Sequence, residues 1–397
     1  VIVPILIDIR ATAVKLIRFI DVDKNCLCIL RDVDLTKLPN RYTALSYVWG
    51  NAVQVKLGGS NEMSLQVKDS LSKFKLPQTI SDAIHLTRLL AIKFLWADVL
   101  CICQGQTDFD LRDRQDQLNN MGNIYHQASL TIIAACGDNA NAGLSGLHPH
   151  TRNLYQKSVT VIPPNEDRDD PGLAVVSTCS HCPVWTGLEA IQRPDDDEID
   201  VSIWARRTWA VQERCLSRRC LVFTKGQVFW VCDGAIFCEE SHFEPPKIYE
   251  RDSTDTPLRI ELWKQRGTTL AFKTIDGPLS RLTTTRQTFW QKYSRLVESY
   301  SNTQMSFSGD VFNAFQGIAE ALGRISGEQF HWGHPKSRFG VSLAWSSPAY
   351  YYKLHRRTEK TTLPMTSLKT HVNLPSWSWM GWMGPVDVSV GDDKFET

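Results

Sequence analysis

Residues 94–102, Phe-Leu-Trp-Ala-Asp-Val-Leu-Cys-Ile, form an almost unbroken apolar run. A run of that length with no polar face fits a strand covered on both sides, the situation of a parallel sheet between helical layers. The flanking patterns agree. Residues 42–49 read as a first strand, ended by Gly50-Asn51. Thr79 precedes Asp82 at capping-box spacing, and Ile80, Ile84, Leu86, Leu89 and Leu90 then recur at helical period. Downstream, Leu111, Leu118, Met121, Tyr125 and Ala128 share one stripe of a helix over 110–128, and 130–135 is the next buried strand. Strand, helix, strand, helix, strand requires crossover connections. The expected fold is a doubly wound α/β domain with a mainly parallel sheet. A β-hairpin is appended where residues 219–224 and 227–232 flank Lys225-Gly226.

Residues 150–200 change character: Pro163-Pro164, Asp169-Asp170-Pro171-Gly172 and the acidic run 195–198 mark a loop-rich insertion. Helical spacing returns over 202–216, and the polar stretch 239–257 with Pro245-Pro246 reads as a linker or loop. Two amphipathic helices follow, one with Trp290, Tyr293, Val297 and Tyr300, the other with Val311, Phe315, Ile318, Leu322 and Ile325 before a stop at Gly327. Residues 374–382 are too aromatic to leave in water and are expected to fold back against a core or line a cleft. The organisation is thus an α/β domain over 1–238, with its insertion at about 150–200, and a mixed, helix- and Trp-rich region over 239–397 packing on it.

Composition narrows the function classes. With 42% hydrophobic and 22% charged residues the chain is of ordinary globular type, not a disordered or collagen-like one. Lys+Arg 44 against Asp+Glu 43 leaves a net charge of +1, which gives no global pull toward nucleic acid or an anionic bilayer. No stretch of 18 apolar residues predicts a membrane span, and residues 1–7 are too short and lack the basic leader of a signal peptide. Eleven cysteines, an odd number spread over 397 residues, do not make a disulfide framework, so a reduced cytoplasmic protein is expected.

Several motifs stand in a fixed order: Tyr42-Thr-Ala-Leu-Ser-Tyr-Val-Trp-Gly50; Leu76-Pro77-x-Thr79-x-x-Asp82-Ala83; Leu95-Trp96-x-Asp98-x-Leu100-Cys101-Ile102-x-Gln104; Gln117-x3-Met121-x2-Ile124-Tyr125-x2-Ala128; and Arg207-x-Trp209-x3-Glu213-Arg214. Together they resemble the fungal heterokaryon-incompatibility (HET) domain over roughly 42–220, and the Pro375-Ser-Trp-Ser-Trp379 box is similar to one near the end of longer family members. The chain departs from the usual pattern at Cys103, where Asn is more common, and at Ala97, where a branched apolar residue is typical. The resemblance implies a fungal intracellular protein associated with non-self recognition and programmed cell death. It also implies a likeness to the TIR fold, whose members include NAD-cleaving enzymes, which is an analogy of fold and not of function.

Asp98 is the sharpest candidate for chemistry. A carboxylate in an apolar strand must be hydrogen-bonded or lie at the strand's carboxyl end, where ligands of open α/β sheets bind; the competing reading is a structural acceptor for loop N–H groups. On a helix over 202–216, Arg206, Trp209 and Glu213 share one side, placing a carboxylate beside an aromatic plane and a guanidinium. Arg206 or Arg207 would fork onto a phosphate, and the alternative is a buried Arg–Glu pair. Tyr47, Trp49 and Gly50 close the first strand, offering stacking surface and close backbone approach, or ordinary core packing and a turn. Gln104 adds a polar group beside Cys103. No GxGxxG or Walker sequence is present, so neither dinucleotide cradle is expected.

Cys101 is a nucleophile only with a base such as His85 or His126 beside it, and a buried thiol is the better reading. The lone Cys179-x2-Cys182 lacks partners for structural zinc, and the 195–198 run lacks the EF-hand pattern, so no metal or certain cofactor is expected. Three functions remain. The first is a cell-death effector with a small-ligand site above the sheet, formed by Tyr47, Trp49, Gly50, Asp98, Gln104, Arg206, Arg207, Trp209 and Glu213. Its ligand would be of nucleotide or NAD type, NAD being a substrate, with Glu213 or Asp98 catalytic in a TIR-like glycohydrolase. The second is a non-enzymatic module that self-associates or meets a recognition partner. The third is a metabolic enzyme whose thirteen tryptophans line an apolar pocket.

Overall fold

A computed structural model of the chain describes residues 14–38, 41–152, 158–162, 173–176, 199–200, 202–232, 236–239, 289–348, 353–358, 360–362 and 371–388. Its centre is an eight-stranded sheet built from β1 (Val14–Asp21), β2 (Cys26–Val33), β3 (Tyr42–Ser46), β4 (Phe94–Trp96), β5 (Leu130–Ala134) and, after a separate antiparallel pair β6 (Ser158–Ile162) and β7 (Leu173–Val176), β8 (Arg219–Phe223), β9 (Val228–Cys232) and β10 (Ile236–Cys238). The spatial order is β10-β9-β8-β5-β3-β4-β1-β2. The four inner strands β4, β3, β5 and β8 run parallel. Antiparallel ribbons flank them: β1–β2 on one side, with β1 antiparallel to β4, and the β8–β9–β10 meander on the other. Chain order among the inner strands is 2-1-3-4, so the direction of winding reverses between β3 and β5, the kind of point beside which open α/β sheets bind ligands.

Strand alternation sends successive side chains to opposite faces. On one face Leu45, Tyr47, Leu95, Ile132 and Ala134 pack with Ile80, Ala83 and Ile84 of helix α2 (Gln78–Leu89), which comes after the single turn α1 (Glu62–Leu65). On the other, Tyr42, Ala44, Phe94 and Trp96 meet Met121, Ile124, Tyr125 and Ala128 of the long helix α4 (Asp108–Gln127), reached through the single turn α3 (Asp98–Cys101). Tyr42 donates to the Ile124 carbonyl at 2.6 Å, and Trp96 meets Tyr125 edge-on at 5.4 Å. Ile133, Cys220 and Val222 lie under Ala210 of helix α5 (Thr208–Leu216).

Three expectations need correction. The apolar run 94–102 is strand only to Trp96 and then turns into α3. A carboxylate fixed mid-strand between two helical layers would lack partners, and the turn carries Asp98 to the sheet's edge. The capping box is not at Thr79, which lies inside α2 and accepts the Gly143 N–H at 3.1 Å; it is at Thr107 and Asp110, heading α4. Leu89 and Leu90, counted in the α2 stripe, are 64% and 41% exposed, because the helix ends at Leu89.

The C-terminal helices α6 (Phe289–Ser301) and α7 (Val311–Ser326), the latter ended by left-handed Gly327, share a core with Val211, Cys215 and Leu216 of α5. Trp379 packs edge-on to Tyr300 and Phe315, so the aromatic 374–382 segment folds back onto that core. Residues 1–13, the Cys179/Cys182 pair, the 195–198 acidic run, most of the 150–200 insertion and the stretch after Glu239 lie outside the described residues. Among the described residues no helix is long and apolar enough to cross a membrane.

One buried cation ties sheet to helix. Arg18 of β1 is wholly buried, with Nε 2.6 Å from Glu62 and Nη1 2.8 Å from Asp113 of α4. Removing one partner of a buried pair leaves an uncompensated charge, so Asp113→Ala is expected to cost about 3–5 kcal/mol in urea unfolding, and a loss below about 1 kcal/mol would show that Glu62 suffices.

Candidate functional site

The candidate site is framed by the segments leaving β3 and β4 and by the start of α5. Ser46 ends β3 on the α5 side of the sheet, and its Oγ is hydrogen-bonded to Oε2 of the buried Glu213. Trp204 Nε1 lies 2.6 Å from the same Oγ. An indole N–H only donates, so Ser46 accepts from Trp204 and its own hydrogen points to Glu213. The other Glu213 oxygen is 3.9 Å from Arg207 Nη2, while Arg207 Nη1 donates to the Tyr47 carbonyl at 2.5 Å. Burial raises the Glu213 carboxyl above its ordinary range, opposed by Arg207 and the Ser46 hydrogen bond.

Asp98 lies on the open side. Trp49 Nε1 donates to both its oxygens, at 3.1 and 3.0 Å, and its own Val99 N–H reaches Oδ1 at 2.7 Å. The residue keeps partial solvent contact, yet desolvation by the surrounding protein is the largest influence on its carboxyl. Desolvation and the negative charge of Glu213 push Asp98 up to about 6, against the pull of Arg207 and the Trp49 N–H. The two carboxyls, far apart in sequence, are thus near enough for the charge of one to act on the other. Burial, then the charge of Asp98, raises Tyr47, whose hydroxyl donates to Gln54 Oε1 at 3.3 Å. Lys56 Nζ is 5.6 Å from the Trp49 ring centroid.

The remaining predicted residues divide. Gln104 is half-buried; its N–H donates to the Leu57 carbonyl at 2.7 Å and its side chain to the Ile102 carbonyl at 3.1 Å, anchoring the loop after β3 to α3. Gly50 has φ +55, and a Cβ there would lie 2.4 Å from that of Asn139, so its close approach is to the loop after β5. Arg206 and Trp209 do not join Glu213. The helix begins at Thr208, not at 202, so Arg206 falls outside it and only Trp209 and Glu213 keep their +4 spacing. Arg206 is exposed, and Trp209 packs between the α4-side and C-terminal cores.

Cys101 is buried and pushed up to about 12 by desolvation, which makes it a poor nucleophile. His126 faces the Leu216 carbonyl at 3.1 Å, and burial lowers it to about 4. His85 stacks on His148 at 6.1 Å. Among the described residues no cluster of three His, Cys, Asp or Glu side chains is placed to hold a metal ion. Sequence reasoning missed Ser46 and Trp204. The signal for Ser46 was a hydroxyl at a buried strand position, which must find a partner.

The arrangement brings a carboxyl pushed up to about 6, a guanidinium with a quarter of its side-chain surface open, and an indole to the carboxyl ends of parallel strands. Residues 42–213 match the family model described as Heterokaryon incompatibility protein (HET), so the chain carries a HET domain over that span, from the start of β3 to Glu213 itself. No curated protein and no solved structure matches the chain.

The Asp98 shift has a sign. Its folded value of about 6 exceeds the ordinary 3.8, so between those values the native state holds more protons than the unfolded one. Stability contributed here is therefore fullest below the lower value and falls as pH rises through the window. Asp98→Asn is expected to resist urea better than the natural chain above pH 6, the advantage shrinking toward pH 4. A difference that does not change with pH would contradict the assignment.

Proposed function

We propose that the chain is a fungal cell-death effector whose HET domain takes a nucleotide-type ligand, with NAD as substrate, above β3 and β4. What supports this reading is the pairing of Arg207 with Glu213 of α5 at 3.9 Å, together with the influence of both charges on Asp98, just past the end of β4. The 2-1-3-4 order of the inner strands supports the TIR likeness at the level of fold.

Each group has a role its chemistry suits. Arg207 turns its open surface to a phosphate, and Trp49 offers an indole to a flat base or nicotinamide ring. Ionised Asp98 faces the sugar and stabilises the positive charge that grows on the anomeric carbon as its bond to nicotinamide breaks. Water then forms the new C–O bond and releases a proton, and nicotinamide leaves as the neutral base. Glu213, 2% exposed, is a positioning residue: it holds Arg207 and raises Asp98 without meeting the ligand.

Purified full-length protein incubated with NAD is expected to release nicotinamide, and Asp98→Asn to slow release by about 100-fold, in the range seen when one charge-stabilising group is removed. No release in any oligomeric state, together with unchanged cell toxicity of Glu213→Gln, would reject the enzymatic form.

A second reading is regulated self-association without chemistry, for which a contiguous exposed apolar patch would be needed; Val53 (92%), Met63 (82%) and Phe307 (69%) are the most exposed apolar side chains among the described residues. Light scattering across concentration is expected to show mass rising above the monomer, and a strict monomer would count against it. Trp96, Trp204, Trp290 and Trp379 are fully buried, so these four tryptophans pack the interior and offer no wall to a substrate.

A further inference from the structure

Helix α5 has two owners. One side carries Glu213 under the sheet's edge; the other contributes Val211, Cys215 and Leu216 to the C-terminal core. Its amino end is unusual. Arg207, at the cap position, has extended backbone (φ −82, ψ 133), and no side chain caps the helix. The first N–H groups of a helix need an acceptor from elsewhere. Here the C-terminal region supplies it: the Thr208 N–H donates to the Gln304 carbonyl at 3.0 Å, and Thr208 Oγ1 donates to the same oxygen at 3.0 Å. The Gln304 N–H returns to the Arg206 carbonyl at 2.6 Å, completing a parallel bridge centred on Arg207. Thr303 Oγ1 lies 2.8 Å from Thr208 Oγ1 and 2.6 Å from the Tyr300 carbonyl at the end of α6.

We propose that Thr303 and Gln304, in the turn after α6, are positioning residues for the Arg207 guanidinium, so that the C-terminal region sets the charge balance of the HET-domain site. The inference rests on the reading of Arg207 and Asp98 as one site. Arg207 is a long side chain, and the place of its head depends on where its backbone is held. The bridge holds that backbone on both sides of residue 207. The guanidinium then spans the Tyr47 carbonyl and Glu213, and its charge acts on Asp98. A rearrangement of α6 or of the turn after it would release residue 207, withdraw the cation and leave two carboxyls facing each other. The C-terminal region is thereby a regulatory input to the site.

The test reads Asp98 directly and needs no ligand. With aspartate 13C-labelled at the carboxyl carbon, the Asp98 midpoint is followed by NMR in the full-length chain. Arg207→Met is expected to raise it by about 1 pH unit, the low end of the effect of losing a neighbouring opposite charge. Gln304→Pro, which deletes the N–H that reaches Arg206, is expected to raise it in the same direction by a sizeable part of that shift. Thr208→Val is expected to do so to a smaller extent, with Thr208→Ser restoring the natural midpoint. If Gln304→Pro does not fold, the Thr208 pair decides. A cooperatively melting Gln304→Pro or Thr208→Val variant with an unmoved Asp98 midpoint, while Arg207→Met moves it, overturns the positioning role and leaves the site intact. An unmoved midpoint in Arg207→Met overturns the site itself, and the inference with it. Failure to cleave NAD touches neither result.

Discussion

The arrangement of this molecule turns on the burial of one carboxylate at the junction of sheet and helix. Glu213 is almost wholly excluded from water, and an isolated carboxylate there would be too costly to keep ionised. The surrounding structure answers that cost. Ser46 donates because Trp204 occupies its acceptor side, and Arg207 leaves the bend before α5 to bring a cation within 3.9 Å. To do so, α5 must lie across the end of β3 in one register. That in turn fixes the C-terminal core built on its far side.

The sequence announced the layers more clearly than the site. Apolar runs and helical stripes placed β3, β5, α4 and the C-terminal helices, because burial on one or both faces leaves a periodic trace. It failed where a short turn interrupts an apolar stretch. Nothing in Trp96-Ala97-Asp98-Val99 separates a strand from a strand followed by a helical turn except the carboxylate itself. The residues around Asp98 are partly visible as motif members. Trp49 lies beside it and Arg207 beside Glu213, while Arg206 drops out because α5 starts at Thr208, later than the helical spacing suggests, and Trp209 because its ring packs into the cores. Ser46 and Trp204 were invisible as partners, since a contact across more than 150 positions leaves no local periodicity.

The C-terminal region is joined to the HET domain by more than apolar packing. Gln212 of α5 accepts the Gly317 N–H of α7 at 3.2 Å, and a Cβ at Gly317 would press on that same side chain. Close backbone approach at this point lets α7 lie across α5. Movement between the two regions is thus coupled to the helix that carries the buried carboxylate, which is a physical basis for communication without a shared ligand.

Gly50 illustrates how surface position and mutational freedom part company. It is open to solvent, yet its left-handed backbone presses against Asn139, and the Ala140 N–H donates to the Trp49 carbonyl at 3.2 Å. Any side chain at residue 50 would wedge apart the two loops that come after β3 and β5. The two loops are thereby riveted together, so a change at this exposed position would be felt at its neighbour Trp49, whose indole N–H holds Asp98.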